Sequence, residues 1–371
     1  MPIQNKTLLM VAQYAAPYEG NFMKSLYAFE ERLKEKGSQV MYVLPQAAKD
    51  CDWFEEASRK HKFFLTDNKP SKAMNDLGRI FLETHPDIVH THFDGYDIAV
   101  VKTLRKLGMN QTEVVWHLHD HIGFMPDLFR TVYQVYSYIR HYGWHGRNVS
   151  VIAANYEVGF SANIWNLLWN KQPYKNFAII PNALDESRIS LRKQLKGRIH
   201  SFLAFGGRNK DKRIDLLADA GTILGGGNFE IYITNGSDTK QVLYDKFNGS
   251  LPEWLHIIEQ RENVNEVYDM ADCFVSSSDA ETFSYAILEA TIAGLPVIQS
   301  DIQATMWNAD NPSTFLFRQG SAEALANAML KVMHSETNVL QSACEETRKR
   351  NLANYSMLRW CEKIEDFYAK L

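Results

Sequence analysis

A chain of 371 residues, 45% hydrophobic, 23% charged and 12% aromatic, is long enough for two domains and has an ordinary globular composition. Forty Lys and Arg against 44 Asp and Glu give a net charge of -4, which disfavours a general nucleic-acid coat. Cys51, Cys273, Cys344 and Cys361 form no C-x-x-C pair, so neither a zinc site nor a disulfide framework is indicated. The first apolar run, residues 8–12, is too short for a signal-peptide core. The chain reads as cytoplasmic.

Residues 7–13 read as a buried strand, followed by a Pro17/Gly20 turn and a helical pattern of Phe22, Leu26, Phe29 and Leu33 that Gly37 ends. Further strands are expected at 39–44, 61–65, 87–91, 113–118, 149–153 and 177–180, with helical patterns at 72–83, 98–107 and 128–142. The polar stretch 185–198 reads as a linker or a surface helix. A second series of strands follows at 202–205, 229–234, 255–258, 273–276, 296–299 and 314–317. The last helix, 356–371, carries Trp360, Ile364, Phe367 and Tyr368 at helical spacing. This alternation predicts parallel sheets covered on both faces, in two α/β halves joined near residue 185. Ligands of such sheets bind beyond the carboxyl ends of the strands. A literal D-x-D at Asp50 and Asp52 lacks a metal-site context, and no G-x-G-x-x-G follows the first strand, which disfavours a nicotinamide enzyme.

The strongest local signal follows the strand at 273–276. A helix is expected to start near Thr282 and to end at Gly294, with Glu281 just ahead of it and Glu289 two turns inside. The amides of Phe283, Ser284 and Tyr285 at its start make an anion site. Carboxylates at both ends suit a nucleotide sugar, with amides for the diphosphate and carboxylates for hydroxyls. The plainer alternative is a helix-start charge at Glu281 and a solvated Glu289.

With Ala290, Gly294, Pro296 and Val297 in register, this segment resembles the E-x7-E signature of retaining glycosyltransferases with the GT-B fold, in particular glycosyltransferase family 4 (glycosyl transferases group 1). The resemblance implies an α/β fold of two Rossmann-like domains facing across a cleft, with the C-terminal helix returning to the N-terminal domain. Residues 1–183, with 355–371 packing back, are then the acceptor-binding domain, and 184–354 bind the nucleotide sugar. By the same resemblance Glu281 contacts the donor sugar and Glu289 the ribose.

Other segments carry the likeness further. Residues 205–215 resemble the family's G-R…K-G-x-D loop, which assigns Arg208 and Lys212 to the diphosphate, with Gly206 and Gly207 allowing close approach. This loop is one residue shorter than the family's, and Arg213 replaces its Gly, so Lys210 and Arg213 stand as alternatives to Lys212. Gly20 takes the place of the family's Gly-rich loop. Residues 114–121 resemble the strand that sets a His near the donor sugar, which points to His119 with Asp120 beside it; His90, His92, His117 and His121 read as packing or strand-end residues. Arg261 is counted among the nucleotide contacts. The I-P-N-A-L-D run at 180–185 marks the domain crossover.

The implied enzyme is a hexosyl- or N-acetylhexosaminyl-transferase of polysaccharide or cell-envelope biosynthesis. It moves a sugar from a nucleotide diphosphate, taken as UDP, to a glycan or lipid-linked glycan, forms an α-linkage with retention, and needs no metal or other cofactor. Residues 128–147 interleave Phe129, Tyr133, Tyr136, Tyr138, Tyr142 and Trp144 with Arg130, Arg140 and Arg147, which suits peripheral contact with the inner face of a membrane. The competing readings are a non-catalytic GT-B subunit or chaperone, and an NDP-sugar epimerase of the same fold.

Overall fold

The computed structural model describes residues 3–17, 19–119, 128–191, 194–195, 197–261 and 263–371. The chain forms two compact units, Met1–Ala183 with Met357–Leu371, and Leu184–Ser356.

In the first unit strands and helices alternate. They run β1 (Thr7–Ala12), α1 (Gly20–Lys34), β2 (Gln39–Pro45), α2 (Phe54–Lys60), β3 (Phe63–Thr66), α3 (Pro70–Thr84) and β4 (Ile88–His92). Then follow α4 (Asp97–Leu107), β5 (Glu113–Leu118), α5 (Leu128–Tyr138), β6 (Ser150–Ala153), α6 (Tyr156–Asn170) and β7 (Phe177–Ile179). The sheet is parallel in the order β3-β2-β1-β4-β5-β6-β7. Its central strands β1, β2, β4, β5 and β6 are buried on both faces, which is why they read as continuous apolar runs. Leu9, Val11, Val89 and Trp116 enter the core on one side. Leu8, Met10, Ala12 and Val115 enter the core on the other, together with α1. The helical pattern at 128–142 ends earlier than the sequence suggests, because α5 passes into a π-helical turn at Ile139–His145.

The second unit runs β8 (Ser201–Ala204), α7 (Asn209–Lys212), α8 (Ile214–Ile223), β9 (Glu230–Thr234), α9 (Thr239–Lys246), β10 (Leu255–Ile258) and α10 (Val264–Tyr268). It continues through β11 (Cys273–Ser276), α11 (Tyr285–Ala293), β12 (Val297–Ser300), β13 (Thr314–Phe317), α12 (Ala322–Met333) and α13 (Thr337–Tyr355). Its sheet is parallel in the order β10-β9-β8-β11-β12-β13. The order reverses beside β8, so the loops after β8 and β11 flank the switch point where open α/β sheets take ligands. The stretch read as a linker or helix begins with a 3-10 turn, Glu186–Arg188, and buries Ile189 and Leu195.

Helix α14 (Met357–Tyr368) returns to the first unit. Its apolar face is Trp360, Ile364, Phe367 and Tyr368, and it joins Leu26, Phe29 and Leu33 of α1 in one core. The outer edge is held by Glu365, which accepts from Arg32 Nε at 2.9 Å, from Arg32 Nη2 at 3.2 Å and from Lys36 Nζ at 2.7 Å. Burial of an aromatic side chain in such a core sets the scale for its loss. Phe367→Ala is expected to cost the first unit about 3–5 kcal/mol in urea unfolding. A loss below about 1 kcal/mol would show that α14 is not part of that core.

Candidate active site

In the second unit the loops after β8 and β11 are tied together by one ion pair. Lys212 Nζ lies 2.5 Å from Glu281 Oε1, which also accepts from Ser278 Oγ at 3.0 Å. The Ser277 hydroxyl holds the Lys212 carbonyl at 2.8 Å, so backbone and side chain of Lys212 are both fixed by the β11 loop. The turn that delivers Lys212 requires Gly206. A Cβ there would lie 2.0 Å from the Thr234 carbonyl and 2.4 Å from Thr239 Oγ1. Its glycine therefore serves close packing against the β9–α9 loop. Arg208 caps α7, is exposed, and pairs with Asp211 at 2.7 Å.

Of the two alternatives to Lys212, Arg213 is committed elsewhere. Its Nε donates to Asp215 at 3.0 Å and its Nη1 to Asp279 at 2.5 Å, and these two carboxylates push its pKa further up. Arg213 has φ +51°, the left-handed region that favours glycine, which accounts for the Gly of the resembling motif at this place. Lys210 is exposed. Lys212 is thus the cation that meets Glu281.

Helix α11 begins at Tyr285, three residues later than the sequence suggests. Ser284 is its extended N-cap, and Leu288 N bonds the Ser284 carbonyl at 3.2 Å. The cause is Phe283, whose buried ring stacks on Trp307 at 5.1 Å and leans on Tyr355 at 5.8 Å, pulling the chain out of helical register. The amides of the first turn are accordingly those of Tyr285, Ala286 and Ile287, and Glu281 stands in the loop rather than at the helix end. Glu289 is buried, not solvated, and accepts from the Tyr268 hydroxyl at 3.1 Å. Burial and this carboxylate raise the Tyr268 pKa well above its ordinary value. The same helix, α10, carries Glu266, which holds exposed Arg261 at 2.6 Å. Gly207 lies beside the Lys212 stem, 3.2 Å from where its Cβ would sit. Sequence reasoning missed Tyr268, Ser277 and Ser278, none of which belongs to a motif. It also missed Asp238, which accepts the Asn209 amide at 3.0 Å.

In the first unit Gly20 opens α1 with φ +59°. His119, just beyond β5, has both ring nitrogens engaged: Nδ1 lies 3.0 Å from Asn182 Oδ1 and Nε2 lies 3.1 Å from His92 Nδ1. The ring is thus held by partners of its own unit, and Asn182 acquires a contact that the crossover motif did not suggest. Asp120 and His121 lie outside the described residues. His90, His92 and His117 are buried on the α1/α14 face, with His92 directly opposite His117 in the sheet. Their closest nitrogens lie within 4.8 Å of one another. The rings of His90 and His117 are nearly parallel, 9° apart and 5.4 Å between centroids.

A recess of about 370 Å³ in this unit is lined by Ser71, Asp94, Lys102, Tyr133, Ser137 and Arg140. A recess of about 990 Å³ in the second unit involves His200 and Phe229. These residues precede β8 and β9, so it opens at the strand ends opposite the charged loops.

Residues 200–335 match the family described as Glycosyl transferases group 1. No curated protein sequence matches the chain. Among solved structures the fold is similar to that of HepE from Anabaena in complex with UDP-glucose, at TM-score 0.74 and 13% identity over 99% of this chain and 100% of that one. It is also similar to a glycosyltransferase from Rickettsia africae, at TM-score 0.72 and 16% identity over 99% and 98%. The lipopolysaccharide outer core galactosyltransferase WaaB gives TM-score 0.71 and 12% identity over 98% and 100%. Two Rossmann-like units with a returning C-terminal helix make this the GT-B fold. The match to the glycosyl transferases group 1 family lies in the second unit.

The buried histidines give the first unit a pH dependence of fixed sign. Burial lowers the pKa of His90 to about 3 and of His119 to about 4, and drives those of His92 and His117 well down. All four stay neutral in the fold, while the unfolded chain takes up protons near pH 6.5. Stability is thus full above that pH and falls by about 1.4 kcal/mol per group per pH unit below it, until each folded pKa is reached. Urea unfolding midpoints are expected to drop steeply between pH 7 and 5, and a flat profile there would contradict the neutral assignment.

Proposed function

We propose that this protein is a retaining glycosyltransferase of family 4. It transfers a hexosyl or N-acetylhexosaminyl group from a UDP-sugar to a glycan or lipid-linked glycan and forms an α-linkage. The observation that carries this reading is the Lys212–Glu281 pair at the ends of β8 and β11, inside the segment that matches the group 1 family. The UDP and UDP-glucose complexes of the similar HepE fold support the choice of donor.

In this reading the diphosphate displaces Glu281 from Lys212 and draws in exposed Arg208, and the first-turn amides of α11 complete an anion site. Departure of the diphosphate needs charge stabilisation more than a strong base, and these groups supply it without a divalent ion. Freed from Lys212, Glu281 accepts from donor-sugar hydroxyls and positions the sugar. Glu289, braced by Tyr268, takes the ribose. The acceptor's proton passes to the leaving diphosphate oxygen, with attack on the same face. The acceptor belongs to the first unit, where the recess lined by Lys102, Tyr133 and Arg140 offers polar and aromatic contacts. Synthesis of a polysaccharide or another cell-envelope glycan at the inner face of the membrane fits this chemistry.

Arg208→Ala and Glu281→Gln are each expected to lower kcat on the order of 100-fold or more with the circular dichroism spectrum unchanged. Among UDP-, GDP-, ADP- and dTDP-sugars, a UDP-sugar should give the largest thermal shift. Transfer should continue in excess EDTA. Unchanged turnover in either variant would remove the site assignment, and loss of turnover in EDTA would remove the metal-free mechanism.

A further inference from the structure

Helix α6 is amphipathic the wrong way round for a surface helix. Val158, Ala162 and Asn166 face the core. Tyr156, Phe160, Ile164, Leu167 and Leu168 recur at steps of three and four on the outside. Phe160 is 53% exposed, Leu168 58% and the neighbouring Trp169 46%. The apolar surface does not stop at the helix. The Trp169 ring meets exposed Trp144 at 5.7 Å, and Trp144 meets exposed Tyr136 of α5 at 6.1 Å. On the other side Phe177 of the edge strand β7 lies over Gly159, its ring 2.8 Å from where a Cβ would stand. A patch this continuous marks an interaction surface.

Its charge selects the partner. Residues 128–182 contain five Lys and Arg and a single acid, Glu157, so this segment is net +4 in a chain that is net -4. Lys171, directly after α6, is exposed, as are Arg140 and Arg147 of the same segment. A second copy placed against it would bring like charges together, whereas an anionic lipid surface gains from both the aromatic stripe and the basic border. No helix among the described residues is long and apolar enough to cross a bilayer, so the contact is one of lying on the surface.

We propose that the outer face of α6, extended by Trp144 and Phe177, docks the first unit on anionic lipid. This deepens the acceptor reading above by naming the surface on which a lipid-linked acceptor is met. The test uses the full chain and vesicles alone, with no donor or acceptor, so that its outcome is separate from that of the transferase reading. Wild type should co-sediment with phosphatidylcholine vesicles containing 30% phosphatidylglycerol. Binding should weaken on the order of tenfold or more on pure phosphatidylcholine or in 0.5 M salt. Phe160→Ser with Leu168→Ser should weaken it by a similar factor while the thermal unfolding midpoint holds. Arg140→Glu with Arg147→Glu and Lys171→Glu should remove the preference for anionic vesicles, and Glu281→Gln should bind as wild type does. Absence of binding to any vesicle would overturn the proposal. So would a stable wild-type dimer in light scattering that Phe160→Ser with Leu168→Ser dissolves, which would assign the face to a second copy.

Discussion

The ion pair between Lys212 and Glu281 is the contact that ties together the two charged loops of the second unit. Two loops from neighbouring strands, β8 and β11, each end in a group of opposite charge, and the pair fixes the distance between them. Both side chains are partly withdrawn from water, so their attraction is less screened than that of a surface pair. Several other features serve this placement. Gly206 lets the β8 loop turn against the Thr234 carbonyl. Asp215 and Asp279 take the neighbouring Arg213 out of competition. Ser277 and Ser278 bind Lys212 and Glu281 from the same turn.

The two units use charge in opposite ways. In the second, cations and carboxylates gather at the strand ends and pair with one another. In the first, the corresponding strand ends of β4 and β5 hold neutral imidazoles packed against Phe22, Tyr368 and one another. Neutral rings are what a low-dielectric pocket permits, and the price is an acid-labile core. His119 is held by Asn182 on one side and His92 on the other.

Much of this was legible in the sequence. Parallel strands buried on both faces announce themselves as short apolar runs, and the spacing of Glu281, Glu289 and Gly294 needs no coordinates to be seen. The crossover near 183 and the return of the last helix were also legible, the latter from the stripe of Trp360, Ile364 and Phe367. What could not be read depends on contacts between distant residues. The start of α11 is set by Phe283 finding Trp307 and Tyr355. The commitment of Arg213 is set by Asp279, far along the chain. The outward stripe of α6 is invisible to periodicity, because an apolar helix face looks the same whether it meets a core or a solvent boundary.

The proposed role of the Lys212–Glu281 pair is tested most directly by a double-mutant cycle on UDP and UDP-sugar affinity, measured calorimetrically for wild type, Lys212→Met, Glu281→Gln and the double variant. On the proposed reading a diphosphate releases Lys212 from Glu281. Lys212→Met should therefore weaken UDP binding on the order of tenfold. Glu281→Gln should leave UDP affinity unchanged or tighter while erasing the advantage of the UDP-sugar over UDP. Equal losses of UDP affinity in both single variants, or none in either, would contradict the claim that this pair is the diphosphate's point of entry.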